Sequence, residues 1–342
     1  MKPTILLSLL LALPVLGKPV KVFILAGQSN MEGKVQRKLI DHQATDPKTA
    51  DLFKQLRKDD GWAVRDDVFI DYLGRHGGLT VGYGSGDRTG VELELGTVLG
   101  EYFDEPVLLI KTAWGGRSIQ KPFRPPSAGL PDTAKLEEEL KNAQEKVRKN
   151  NEKRKREDPL PTMEDIKKGY GADYRNMLEN IQRVLDEKDS LFPELKGHEP
   201  ELAGFVWFQG WNDQYGGAEL EYESNMKHFI LDVRKDLKSP ELPFVIGVMG
   251  QNGSKEPKGA MLTIQEAQLA MEKVSEFKGN VKAVRTDVLV DKAAEALYPT
   301  WKDNFEEWEK TGSDHGYHYL GSAIWHVRMG KAFAEALLEM QP

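Results

Sequence analysis

Six short apolar runs, at residues 20–26, 68–72, 106–111, 203–208, 244–249 and 281–285, limit what this chain can fold into. Each is continuous rather than alternating in polarity, the pattern of strands buried on both faces in a parallel sheet. Between the runs, apolar residues recur at intervals of three and four. Leu95, Val98, Leu99 and Tyr102 form one such set, and Tyr174, Met177, Leu178, Ile181 and Leu185 another. Tyr222, Met226, Phe229, Ile230, Val233 and Leu237 form a third, and Ile324, Val327, Phe333 and Leu337 a last. That spacing gathers them on one face of a helix. Strands alternating with amphipathic helices stack as a parallel α/β layer sandwich. In such sheets ligands sit at the carboxyl ends of the strands.

Those ends carry the chemistry. The first run, within VKVFILAGQSNMEG at 20–33, gives way to Gly27, Gln28, Ser29 and Asn30. A nucleophilic serine needs a sharp turn at a strand end, so that its hydroxyl is exposed and its N–H can face a developing oxyanion. Gly27 permits the turn. The Gly-x-Ser-x-Gly elbow is absent because residue 31 is Met, and Ser29 or Asn30 can equally cap a helix. The third run enters TAWGGRS at 112–118, where two glycines either bring backbone N–H groups close to a ligand or only turn the chain. The fourth run enters Gln209, Gly210, Trp211, Asn212 and Asp213. Gln209 can offer an amide N–H, and Asp213 can orient a histidine. Trp207, Phe208 and Trp211 read either as core or as a platform for a sugar ring. Near the end of the chain Asp314, His315 and His318 fall within five residues. A serine needs a base, and the base needs a group that fixes its tautomer. Two histidines three apart also admit a metal, although no His-Glu-x-x-His signature is present and the chain has no cysteine.

Residues 1–17, MKPTILLSLLLALPVLG, read as a signal peptide: Lys2, then an apolar stretch too short to span a bilayer, then small residues. Export without cysteines suits a bacterial periplasm or exterior. Residues 18–342 read as a single domain with a charged helical insertion at about 132–170. Within it, KLEEELKNAQEKVRKNNEKRKRED at 135–158 carries only a narrow stripe of Leu136, Leu140, Ala143 and Val147. Its acidic residues precede its basic ones, which complements a helix dipole. It reads as a solvated helix projecting from the sheet, in a hairpin with the helix at 174–185. The formal charge of −7 argues against a nucleic-acid partner, which would need a basic surface. No other segment is apolar enough to enter a membrane stably.

Taken in order, GQSNM at 27–31, TAWGGRSI at 112–119, WFQGWND at 207–213 and HGYHYLGSA at 315–323 resemble the SGNH/GDSL hydrolase superfamily. The likeness is greatest to its sialate O-acetylesterase-like and acetyl-xylan-esterase-like branch. The resemblance implies a three-layer α/β/α sandwich with a roughly five-stranded parallel sheet. It implies a serine esterase that removes O-acetyl groups from carbohydrates through an acetyl-enzyme, with no metal or organic cofactor. Ser29 would be the nucleophile and His318 the base. The N–H groups of Ser29 and Gly116, with the Gln209 amide, would form the oxyanion hole. Gln28, Asn30, Gly115, Trp211 and Asp213 are the candidate substrate contacts. Two departures stand out. Relatives usually carry Asp three residues before the histidine, where this chain has His315, with Asp314 one place further back. Many relatives carry Glu where this chain has Trp211. The acid is therefore Asp314 as first choice, Asp213 as second, or absent. The alternatives are a non-catalytic carbohydrate-binding protein on the same fold and a hydrolase of a different ester. Arg117 and Arg124 can meet an acidic sugar or simply lie on the surface.

Overall fold

A computed structural model describes residues 17–341, so the leader expected at 1–17 lies, but for Gly17, outside the described residues. All six apolar runs are strands. The main sheet comprises β1 (Val20–Gly27), β2 (Val68–Tyr72), β3 (Arg75–Gly78), β4 (Val107–Ala113), β5 (Pro200–Phe208), β6 (Phe244–Val248) and β7 (Val281–Arg285). Their order is β3-β2-β4-β1-β5-β6-β7, and every pairing is parallel except β2 with β3. The sheet thus has seven strands rather than about five. The strand that the sequence concealed is β3, whose residues RHGG carry no apolar run and which is held as the return arm of a hairpin on β2.

The helices that frame the sheet and its edge are α1 (Ser29–Glu32), α2 (Glu92–Tyr102), α3 (Thr133–Arg154), α4 (Met163–Gly169), α5 (Ala172–Leu191), α6 (Tyr222–Asp236), α7 (Ala260–Ala270) and α8 (Ala323–Leu338). Successive side chains of β1 point to opposite faces. Phe23 and Leu25 pack with Leu95 and Leu99 of α2 and with Phe333 and Leu337 of α8. Val22, Ile24 and Ala26 pack with Met177 and Ile181 of α5, Met226 and Phe229 of α6 and Ile264 of α7. All five β1 side chains are fully buried, which is why the run is continuous. Each large one contributes about 1.5–3 kcal/mol of burial.

The charged segment is the 22-residue α3, capped by the Asp132 side chain accepting from the Lys135 N–H at 2.8 Å. Its partner is α4 rather than the helix expected at 174–185. Leu136, Ile166 and Tyr170 make a small separate core, supported by Leu140, Ala143 and Met163. Only Ile166 is buried within the seven residues of α4, too little to show a period. No helix among the described residues is long and apolar enough to cross a membrane.

Candidate active site

Strand register assembles the site. Gly27 of β1 is level with Ala113 of β4 and with Phe208 of β5, so three loops leave the sheet side by side. The chain passes to one side of β1 for β2 to β4 and to the other side for β5 to β7, so the strand order reverses at β1, where ligands sit in such sheets. Gly27 has φ +153°, and a Cβ there would lie 2.2 Å from the Phe208 carbonyl oxygen. Glycine alone allows this close approach. The chain then turns at once into α1, where the Met31 and Glu32 N–H groups bond back to the Gln28 carbonyl at 2.8 and 2.9 Å. Ser29 is 6% exposed. Neither its hydroxyl nor its N–H is engaged in a hydrogen bond among the described residues.

On the β4 loop Gly115 and Gly116 are exposed. A Cβ built on Gly115 would lie 3.9 Å from Ser29 Cβ, so this loop passes beside the serine. Gly116 has φ +71°, and its N–H likewise finds no partner among the described residues. The Asn212 amide nitrogen lies 4.0 Å from where a Gly116 Cβ would stand. Gln28 Nε2 donates to Asn212 Oδ1 at 3.1 Å, which fixes that amide and turns its nitrogen toward the glycine loop. The Gly115–Gly116 loop thus runs beside Ser29, and the Asn212 amide nitrogen lies next to that loop.

Gln209 is already engaged. It is 3% exposed, and its Nε2 donates to Gln28 Oε1 at 3.1 Å, the Arg117 carbonyl at 2.8 Å and Asp213 Oδ2 at 2.6 Å. Its Oε1 accepts from the Tyr222 hydroxyl at 3.1 Å. Two N–H groups shared among three acceptors leave nothing for a ligand. The neighbouring Asn212 keeps its amide nitrogen without a hydrogen-bond partner among the described residues, beside the glycine loop, and nothing local distinguishes the two beforehand.

Three other expected substrate contacts are engaged between loops, although the Asn30 Oδ1 keeps no partner among the described residues. Asp213 is 0% exposed, and its carboxylate accepts the N–H groups of Ile119 at 3.0 Å and Gln120 at 2.9 Å as well as Gln209. Burial pushes its carboxyl up to about 6 against those hydrogen bonds. It holds the loop after Gly116 and makes no hydrogen bond to His318. Gln28 is buried, and its Oε1 accepts from Gly210 and Asn212 N–H at 3.3 and 3.4 Å. Asn30 is also buried, donating through Nδ2 to the Tyr317 carbonyl at 3.2 Å. All three are clamps between loops. Trp207 and Phe208 are core, whereas Trp211 is half-buried at the rim. Arg124 is buried on the Gly129 and Gln120 carbonyls and Glu221, and Arg117 pairs with Asp173 at 2.8 Å. Neither offers an uncompensated charge to an acidic sugar.

His318 rides on the turn Gly316–Gly321. Its Nδ1 lies 3.0 Å from Asp314 Oδ1, which also accepts the His315 N–H at 2.7 Å. Asp314 Oδ2 accepts from Arg88 Nη1 at 3.1 Å. Burial opposes charge on Asp314, but the His318, His315 and Arg88 donors outweigh it and hold the carboxyl below the usual carboxylate range. An ionised carboxylate at Nδ1 keeps the proton there and leaves Nε2 free to act as base. The turn is unusual: Tyr319 and Leu320 have φ of +52° and +61°. Such left-handed residues with side chains cost about 1–3 kcal/mol each. The buried Tyr319 offsets this, its hydroxyl accepting from Gly250 N–H and meeting Thr286 Oγ1, both at 2.9 Å. The Asn30–Tyr317 bond joins this turn to α1. Ser29 and His318 themselves share no hydrogen bond among the described residues; such catalytic bonds are often long until substrate is in place.

The chain matches the family described as "Carbohydrate esterase, sialic acid-specific acetylesterase" over residues 19–155 and 162–297. Among solved structures it is similar to a protein from Arabidopsis thaliana, with a TM-score of 0.51 and 17% identity over 94% of this chain and 98% of that one. It is similar to a carbohydrate acetylesterase from Xanthomonas citri, with a TM-score of 0.47 and 15% identity over 79% of this chain and 50% of that one. NanS gives a TM-score of 0.43 and 12% identity over 81% of this chain and 79% of that one. No curated protein matches the chain.

Proposed function

The chain belongs to the carbohydrate esterase family of sialic acid-specific acetylesterases, and from that premise we propose that it is a serine esterase removing O-acetyl groups from carbohydrates. One observation carries the reading: a serine with an unengaged hydroxyl and N–H stands at the end of the central strand, clamped to a turn that presents an Asp314–His318 pair. Ser29 Oγ attacks the acetyl carbonyl carbon while His318 Nε2 takes the hydroxyl proton. The carbonyl electron pair moves to oxygen, and the oxyanion is held by the N–H groups of Ser29 and Gly116 and the Asn212 amide. Collapse breaks the bond to the sugar oxygen, which leaves with the proton from His318. Water, activated by the same imidazole, then releases acetate from Ser29. The serine's slight exposure favours a short acyl group, and the absence of side chains at Gly115 and Gly116 leaves room for the sugar. Residues 1–17 as a leader would place the enzyme outside the cytoplasm, where acetylated polysaccharides lie.

The test is acetate release from acetylated xylan, acetylated pectin and O-acetyl sialosides, together with labelling of Ser29 by a fluorophosphonate. Glycan binding without labelling or release would instead favour a non-catalytic carbohydrate-binding protein. The oxyanion assignment has its own outcome. Asn212→Ala should lower kcat by roughly 10²–10³, about 3–4 kcal/mol, with a much smaller change in KM. An unchanged kcat would remove Asn212 from the hole.

A further inference from the structure

A row of aromatic rings leads away from His318. Trp211 lies 6.0 Å from Tyr317 between ring centroids, Tyr317 stacks on His315 at 5.2 Å, and His315 lies 6.4 Å from Trp301. Tyr317 also meets the His318 ring edge-on at 4.5 Å, so the row starts at the candidate site. Tyr317 and His315 are exposed, and Trp211 and Trp301 are half-buried. A contiguous exposed aromatic patch of this kind marks a surface that something covers. The row ends at a cavity of about 270 Å³ whose wall includes Arg88, Trp301, Phe305, Trp308, Asp314 and His315. Asp314 is shared between this wall and the support of His318. Trp308 is only 5% exposed, yet its indole N–H, like that of Trp301 and the ring nitrogens of His315, makes no hydrogen bond among the described residues. The wall therefore combines flat rings with unspent polar groups. Most of it comes from residues 298–317, outside the stretches at 19–155 and 162–297 that match the family.

We propose that this row and cavity form a glycan subsite, seating pyranose rings of the chain that bears the acetyl group. A pyranose offers a flat C–H face that stacks on an aromatic ring and a rim of hydroxyls that pair with donors and acceptors at the ring edges. Continuity with His318 selects this occupant, since a sugar chain whose acetylated unit lies at Ser29 runs directly onto Tyr317. The substrate is then an oligosaccharide or polysaccharide rather than a single sugar. The esterase reading enters only through the position of the acetyl group; the capacity to hold glycan stands apart from it.

The experiment compares p-nitrophenyl acetate with acetylated xylo-, manno- and pectic oligosaccharides of two to six units. In at least one series kcat/KM should rise with chain length. In Trp301→Ala the ratio of hexamer to aryl acetate turnover should fall about tenfold, the scale of one lost aromatic contact. The exposed His315→Ala, whose loss threatens the fold less, should lower the same ratio. Flat length dependence in all three series, or equal losses on both kinds of substrate in both variants, would overturn the subsite. If the protein releases no acetate from anything, quenching of tryptophan fluorescence by the unacetylated hexamers still decides. Binding by the unaltered protein that weakens in Trp301→Ala supports the subsite, and no binding rejects it.

Discussion

Ser29→Ala is expected to reduce acetate release by ~10⁴–10⁶-fold, the range seen when a hydrolase loses its nucleophile, while the protein melts close to the unaltered temperature. The two halves of this outcome have separate causes. The hydroxyl is the atom that must form the acyl bond, and no other side chain around Gly115 and Gly116 replaces it. Yet the hydroxyl makes no hydrogen bond among the described residues and caps no helix, so its removal strands no partner. Removing a hydroxyl that has no partner leaves no donor or acceptor stranded, so stability should change little. The Ser29 N–H survives the substitution, so two backbone donors and the Asn212 amide remain for the oxyanion. Slow residual turnover above the uncatalysed rate is therefore compatible with the mechanism. Acetate release and a thermal melt on the same preparation measure both halves. Activity retained within tenfold would sink the serine mechanism, and a large loss of stability would mean that the hydroxyl has a structural partner.

What local pattern reveals and what it hides can be seen residue by residue. The run from Val20 to Ala26 announces its strand because burial on both faces removes the need for polar residues, and the same holds for β2, β4, β6 and the 203–208 part of β5, whereas the edge strand β7 buries only Val281 and keeps Lys282 and Arg285. β3 is silent because its place comes from hairpin pairing alone. Ser29, Asp314 and His318 stand out because those side chains at the carboxyl edge of a parallel sheet suit acyl transfer. The turn residues around them do not sort themselves. Gln28, Asn30, Gln209, Asn212 and Asp213 are all polar and all near strand ends. Which of them faces a ligand depends on contacts such as Gln28 to Asn212 and Asn30 to Tyr317, between residues far apart in the chain. No local period records such contacts. The same limit applied to the acid. Asp314 and His318 lie in a loop that continues directly into left-handed Tyr319 and Leu320, a conformation that side-chain preferences argue against and that the buried Tyr319 hydroxyl anchors. The charged α3 shows both sides. Its Asp132 cap and its charge order are legible, while its partner α4 is too short to be seen.

Asp314→Asn should lower kcat by about 10³–10⁴-fold, although it changes one atom type and little volume. The carboxylate serves three donors, His318 Nδ1 and the His315 N–H on one oxygen and Arg88 on the other. An amide has a single acceptor oxygen. If that oxygen faces His318, the amide nitrogen meets the Arg88 guanidinium, donor against donor, and the negative charge that stabilises the imidazolium is gone. If the amide flips, its N–H₂ faces Nδ1, the ring proton moves to Nε2, and the base holds the wrong tautomer. Adding Arg88→Ala removes the first conflict only, so the double variant should recover part of the loss. Stability carries a second signature. The Asp314 carboxyl is held below its ordinary range in the folded protein, so its contribution is complete above the unfolded pKa and disappears as pH falls through the lowered one. The unaltered protein should exceed Asp314→Asn in melting temperature at neutral pH, with the gap closing on strong acidification. Asp213→Asn offers the contrast, because Asp213 holds the Gly116 loop and makes no hydrogen bond to the imidazole. If kcat fell a thousandfold in Asp213→Asn and stayed near normal in Asp314→Asn, the acid would have to be reassigned to Asp213.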